Sequence, residues 1–207
     1  DVRLDLLHPT DHGTYCKYKG EAAYWSIKAG GRVSDNAVWA YQTPYDEMLE
    51  INLQDYCAFF WDRADHWFEE DEEVFVHPRD PYKRIDAVPS SRNVKVVAGG
   101  ENIADTRNAH FLFETDLPTR YYIPATDVRT DLLKDSATTA QCPYKGIARY
   151  HTATIGDNEF QDIAWYYPDP IAECPKIKDL ICFYHENVDA IFIDNVEAEK
   201  PISKKSS

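Results

Sequence analysis

Three observations predict a mainly β fold built from two related modules, with little helix. First, the chain repeats itself: at a fixed offset of 126 residues, 12 of 26 aligned positions are identical. Asp1-Val2-Arg3-Leu4-Asp5-Leu6-Leu7 matches Asp127-Val128-Arg129-Thr130-Asp131-Leu132-Leu133, and Cys16-Lys17-Tyr18-Lys19-Gly20 matches Cys142-Pro143-Tyr144-Lys145-Gly146. Second, apolar residues come in short alternating runs bounded by turn residues, which is the period of a strand. Third, 12 prolines punctuate the chain, which suits turns between strands better than long helices.

Taken in order, the aspartates before Leu6-Leu7 and Leu132-Leu133 predict short helical turns at most. The repeat continues as Trp39-x-Tyr41-x-x-Pro44 against Trp165-x-Tyr167-x-x-Pro170. After a two-residue shift, Asp55 through Phe59-Phe60 matches Asp179 through Phe183-Tyr184, and Asp65 matches Asp189. The loop between Pro44 and Asp55 carries the length difference, as loops commonly do. The acid run 69–73 predicts a solvated rim, with metal binding as the alternative. Residues 75–92 hold three prolines and four basic residues and predict an extended connector.

Beyond the connector, 93–97 alternates and ends at Gly99-Gly100, a hairpin signal. Strands are predicted at 110–114, at 120–123 (stopped by Pro124) and at 147–155, followed by a turn at 156–159. Residues 180–185 and 190–193 predict another hairpin across Glu186-Asn187. The tail 200–207 is polar and predicted disordered. The organisation is therefore a partial first copy at 1–74, a linker at 75–92, a complete second copy at 86–199 and the tail. Either the sequence is trimmed ahead of Asp1, or the first copy lacks counterparts of 86–126 by nature and is expected to complete its sheet with the connector, the other copy or another chain.

A net charge of −14 argues against a nucleic-acid backbone as partner, which needs clustered Lys and Arg. No apolar run is long enough to span a membrane. The chain opens at Asp1 without Met, so targeting is not legible. Five dispersed cysteines without a C-x-x-C pair disfavour a zinc ribbon and suggest reduced thiols in the cytoplasm.

The second copy resembles the family called domain of unknown function 427. The resemblance rests on Ala104-Asp105-Thr106, Glu114 ahead of Tyr121-Tyr122-Ile123-Pro124, Cys142-Pro143-Tyr144-Lys145-Gly146, Ala164-Trp165-x-Tyr167-x-x-Pro170 and Phe183-Tyr184. The stretch from His77-Pro78-Arg79-Asp80-Pro81 to Ser90-Ser91-Arg92 looks like the linker of tandem members. The resemblance implies a β-tent-like fold for each module, in which two sheets meet at an angle and pinch a pocket, often beside zinc. The paired C-x-x-C knuckles are missing, so no metal and no cofactor are expected. The family also carries a nucleotidyltransferase label. It is set aside, because no Gly-Ser followed by spaced aspartates is present to hold magnesium and a triphosphate.

Lys145 and its twin Lys19 are the leading chemical candidates. Desolvation inside an aromatic segment suits a lysine to base or Schiff-base chemistry. The alternative is a lysine that holds the turn at Gly146. Cys142, three residues earlier, reads as a nucleophile or as a small buried hydrophobe. Trp165 and Tyr167, with Tyr144, read as walls for a planar ligand or as core. Glu114 and Tyr122 suit acid–base roles. Arg120 suits ligand binding or a cross-strand pair with Glu114. His151 suits a proton shuttle if it faces the pocket.

These residues predict a small-molecule-binding domain. An isomerase, cyclase or lyase without a cofactor would use Lys145, Glu114, Tyr122 and His151 as its acid–base set. A non-catalytic ligand- or peptide-binding module and a structural protein that forms a homodimer are the alternatives.

Overall fold

The computed structural model describes residues 2–45 and 52–201. Two compact units divide between Val74 and Phe75. Strands dominate, and every helical segment among the described residues is a three-residue 3-10 turn. Turns at Leu4–Leu6 and Thr130–Leu132 sit where the paired aspartates place them.

In the first unit, β1 (Leu7–Cys16), β2 (Gly20–Ala29), β3 (Arg32–Ala40) and β4 (Ala58–Phe59) form one antiparallel sheet in sequence order. A small hairpin, β5 (Phe68–Glu69) with β6 (Glu72–Glu73), carries the acid run, which is largely exposed. Most of the loop predicted to absorb the length difference lies outside the described residues.

The second unit contains β7 (Ile85–Pro89), β8 (Val94–Ala98), β9 (Glu101–Thr106), β10 (His110–Glu114), β11 (Arg120–Ile123) and β12 (Leu133–Cys142). It continues with β13 (Gly146–Ile155), β14 (Asn158–Tyr166), β15 (Ile181–Phe183), β16 (Ala190–Ile193) and β17 (Val196–Glu197). A seven-stranded sheet runs β12-β13-β14-β15-β11-β10-β7, and a four-stranded sheet runs β17-β16-β8-β9. Between them lies the main core, with Val94, Val96, Ile103 and Ile191 on one side and Ile123, Ile155, Ile163 and Phe183 on the other. Full burial of each such side chain contributes about 1.5–3 kcal/mol.

The duplication survives in the irregularities. β1 and β12 show the same burial pattern along ten residues. Register shifts fall at Pro9/Gly13 and at Asp135/Thr139, and again at Trp25/Ile27 and His151/Ala153, all offset by 126. Bulges are specified features of a sheet, so shared bulges mark shared ancestry of the hairpins.

The end of the connector is itself a strand, since β7 pairs with β10 as the edge of the large sheet. Two expectations are corrected. Residues 180–193 do not form a hairpin. β15 pairs with β14 and β11, whereas β16 pairs with β8 and β17 in the other sheet. The six residues between them carry the chain across, with Tyr184 N–H donating to the Ile163 carbonyl and Asp189 N–H to the Val97 carbonyl. Lys200, at the start of the predicted tail, is anchored, its Nζ donating to the Val188 carbonyl at 2.7 Å. Residues 202–207 lie outside the described residues.

Candidate functional site

Strand pairing assembles the site before any side-chain detail. Tyr150 faces Trp165 across β13–β14, Trp165 faces Cys182 across β14–β15, and Cys182 faces Tyr122 across β15–β11. Partners opposite each other share a face, so these four residues form one row across four strands. The neighbouring row, Ala164, Phe183, Ile181 and Ile123, turns into the main core. Leu112 and Glu114 follow on β10 with the strand period of two, and Arg120 stands opposite Leu112.

Leu112, Tyr122, Trp165, Tyr167 and Cys182 belong to a second buried cluster on this face. Beside it opens a cavity of about 180 Å3 lined by Glu114, Arg120, Tyr122, Lys145, Tyr150, Trp165, Tyr167 and Tyr184, with Leu112, Leu117 and Pro118. The resemblance implied a pocket pinched between two sheets. The cavity instead lies on the face of the large sheet that turns away from the four-stranded one. Strands β10–β11 and β13–β14 both reach it, as the coiling of a large twisted sheet permits.

At one wall Lys145 Nζ donates to Glu114 Oε2 at 2.5 Å, and the two side chains are only 9% and 6% exposed. Gly146 makes this placement. Its φ is +100°, and a Cβ there would lie 3.2 Å from the Asp169 carbonyl. The tight turn lets Lys145 N–H donate to the Cys142 carbonyl, while Ile171 N–H donates to the Lys145 carbonyl. A second lysine, Lys83, lies 4.0 Å from Glu114 Oε1.

Elsewhere around the cavity, Arg120 makes two 2.8 Å bonds to the Glu186 carboxylate and lies over the rings of Trp165 and Tyr184. Burial by itself would lower the Arg120 pKa, but the bonds to Glu186 raise it on balance, and Arg120 in turn holds the Glu186 carboxyl below its ordinary value. Trp165 Nε1 donates to Tyr122 Oη at 3.1 Å. Burial pushes the Tyr122 hydroxyl well above the usual phenol range, and nearby Cys182 and Tyr167 add to this. Burial also raises Tyr167 and Tyr184, and it lifts the Cys182 thiol to about 12. These phenols therefore stay neutral and can donate.

Of the predicted site residues, Lys145, Glu114, Tyr122, Trp165, Tyr167 and Arg120 meet at this cavity. Three do not. His151 stacks on Tyr166 at 4.8 Å, with Nδ1 3.2 Å from Asp135, and lines no part of the cavity. The bulge after His151 and its place on the alternate face of β13 account for this. Tyr144 lines a separate cavity of about 300 Å3, where its hydroxyl accepts from Asp80 N–H. Cys142 packs against the cluster from outside the cavity. Glu114 and Arg120 take other partners instead of pairing with each other. Sequence reasoning missed Tyr150, Tyr184, Glu186 and Lys83. Tyr150 is an identity of the repeat with Tyr24, so the alignment already carried that signal.

The class is thus a two-unit, mainly β protein with an aromatic cavity in its second unit. The family model for the domain of unknown function DUF427 matches residues 1–70 and 86–194, and the chain belongs to that family in a tandem form. No curated protein matches it. No helix among the described residues is long and apolar enough to cross a membrane.

Proposed function

We propose that the second copy is a small-molecule site for acid–base chemistry on a compact carbonyl compound, without a cofactor. The reaction class is isomerisation, cyclisation or lyase cleavage. One observation carries the reading: the buried Lys145–Glu114 pair opens on an aromatic cavity. At about 30 Å3 per water, that cavity has room for roughly six waters, or one ring or short chain. Glu114 serves as the base at carbon. Tyr122 and Tyr167 serve as donors to the oxygen where negative charge develops. Tyr122 Oη already accepts from Trp165, so its own proton remains available, and the Tyr167 hydroxyl makes no hydrogen bond among the described residues. All five cysteines are free, which fits a reducing cytoplasm.

A non-catalytic binding module is the second reading. The pairing of both cavity cations with carboxylates favours it, because paired groups already have a structural role. Proton exchange separates the two. Compact ketones and keto acids are incubated with the full chain in heavy water and followed by NMR. The enzyme reading expects deuterium next to the carbonyl, lost in Glu114→Gln. Saturable binding without exchange supports the binding module. Absence of saturable binding to any of these compounds rejects both readings for this ligand class.

A further inference from the structure

We infer that Lys145 is a covalent nucleophile that forms an imine with a small ketone or aldehyde bound in the cavity. This rests on the small-molecule reading above and names its substrate class more narrowly. Lys145 and Glu114 both line the cavity, so the amine has access to a ligand while being shielded from bulk water. Glu114 is the one hydrogen-bond partner of the amine among the described residues. The Lys145 backbone is held on both sides by the turn at Gly146, which fixes where the amine stands.

A second lysine stands at the same carboxylate. Lys83 Nζ is 4.0 Å from Glu114 Oε1, has no hydrogen bond among the described residues and lies 5.5 Å from the Tyr144 ring centre. Two ammonium groups thus share one carboxylate. When Lys145 passes its proton to Glu114 the two groups become neutral together, so the step leaves neither of them as an unpaired buried ion. An amine beside a second cation is a recognised route to a nucleophilic lysine. Lys83 acts here as a positioning residue, supplied by the connector.

The chemistry balances with these groups alone. Glu114 takes a proton from the Lys145 ammonium. The freed lone pair forms a C–N bond to the carbonyl carbon, and the C–O π electrons move to oxygen, which Tyr122 and Tyr167 are placed to stabilise. A proton passes from nitrogen to that oxygen and gives the carbinolamine. Glu114 then returns its proton to the hydroxyl, which leaves as water while nitrogen forms the C=N bond. The net change is ammonium plus carbonyl to iminium plus water, with Glu114 ionised again.

Acetylacetone tests this directly, because its imine loses a carbon-bound proton to give a stable, conjugated enaminone. The full chain is treated with it, digested and mapped by mass spectrometry. A mass increase of one acetylacetone less one water is expected at Lys145, about tenfold or more faster than at Lys19, which has no carboxylate partner among the described residues. Glu114→Gln and Lys83→Met should each slow the adduct, and Lys83→Arg should restore it. Equal labelling of Lys19 and Lys145 would mean ordinary amine reactivity and overturn the inference. Saturable binding of acetylacetone with no adduct overturns it too, but leaves the small-molecule reading standing. If acetylacetone neither binds nor reacts, both fail for this class. The wild-type map decides these outcomes even if a variant does not fold.

Discussion

In the second copy the Lys145 amine is buried against Glu114, while in the first copy the Lys19 amine lies 5.8 Å from the Tyr41 ring centre and pairs with no carboxylate among the described residues. The turns that carry them are the same. Gly20 and Gly146 have φ of +97° and +100°, and a Cβ on either would meet a carbonyl oxygen at 3.3 or 3.2 Å. Cys16 beside the first turn is held below its ordinary pKa, chiefly by the Tyr18 N–H, with burial opposing. The scaffold has been kept and the surroundings have not. Everything that makes Lys145 distinctive comes from strands β7, β10 and β11 and the connector, which have no counterparts among the described residues of the first unit. A duplicated turn is therefore necessary for the site but far from sufficient.

The largest expected effect breaks this contrast at its centre. Glu114→Ala strands a buried lysine and should cost about 3 kcal/mol or more in denaturant unfolding of the second unit. Lys19→Met in the first copy should change stability by less than about 0.5 kcal/mol. Equal effects would show that the two lysines have equivalent surroundings after all. Next, Gly20→Ala and Gly146→Ala should both destabilise by about 1–3 kcal/mol, because both force a side chain into the same strained turn. A large inequality would break the claim of a shared scaffold. Trp165→Phe removes the donor to Tyr122 and should cost about 1–2 kcal/mol. Trp39 makes no side-chain hydrogen bond among the described residues, so Trp39→Phe should cost less than half as much on the same measurement.

The smallest effect concerns pH. Burial lowers the pKa of His110 and His185, both in the second unit, so the unfolded chain binds protons more readily than the folded one. Their contribution is intact above the unfolded value of about 6.5 and is lost as pH falls below it. Thermal unfolding followed between pH 7 and 5.5 should show this loss in the second unit, and His185→Gln should flatten it by a few tenths of a kcal/mol per pH unit. A profile unchanged by that substitution would show that His185 is not desolvated in the folded state.

The repeat, the short turns and β8, β10, β11 and β13 were legible because their side chains alternate or match across copies. β12 was not, for a physical reason. Its residues Lys134-Asp135-Ser136 and Thr138-Thr139 lie on an exposed edge, so no apolar alternation marks it. The hairpin expected at 180–193 failed because local turn signals cannot say which sheet a strand joins. At the site, residue types pointed to Lys145, Glu114, Tyr122, Trp165, Tyr167 and Arg120. What they could not give was pairing. Arg120 finds Glu186 through the crossing after β15, a relation that exists only once the sheet has closed. His151 takes the face of β13 opposite to that of Tyr150, and a bulge follows it, neither of which composition reveals.

The placement of β15 also bears on how the protein is made. In space, Ile181–Phe183 is the middle of the seven-stranded sheet, joining β12-β13-β14 to β11-β10-β7. In the chain it comes after all six of those strands. A nascent chain leaving the ribosome therefore carries two half-sheets with no hydrogen-bonded seam until these three residues emerge. Closure of the sheet, and with it the cavity beside Lys145, waits until β15 has been made. Until then both half-sheets present open edges, the interval in which such a chain is most exposed to mispairing.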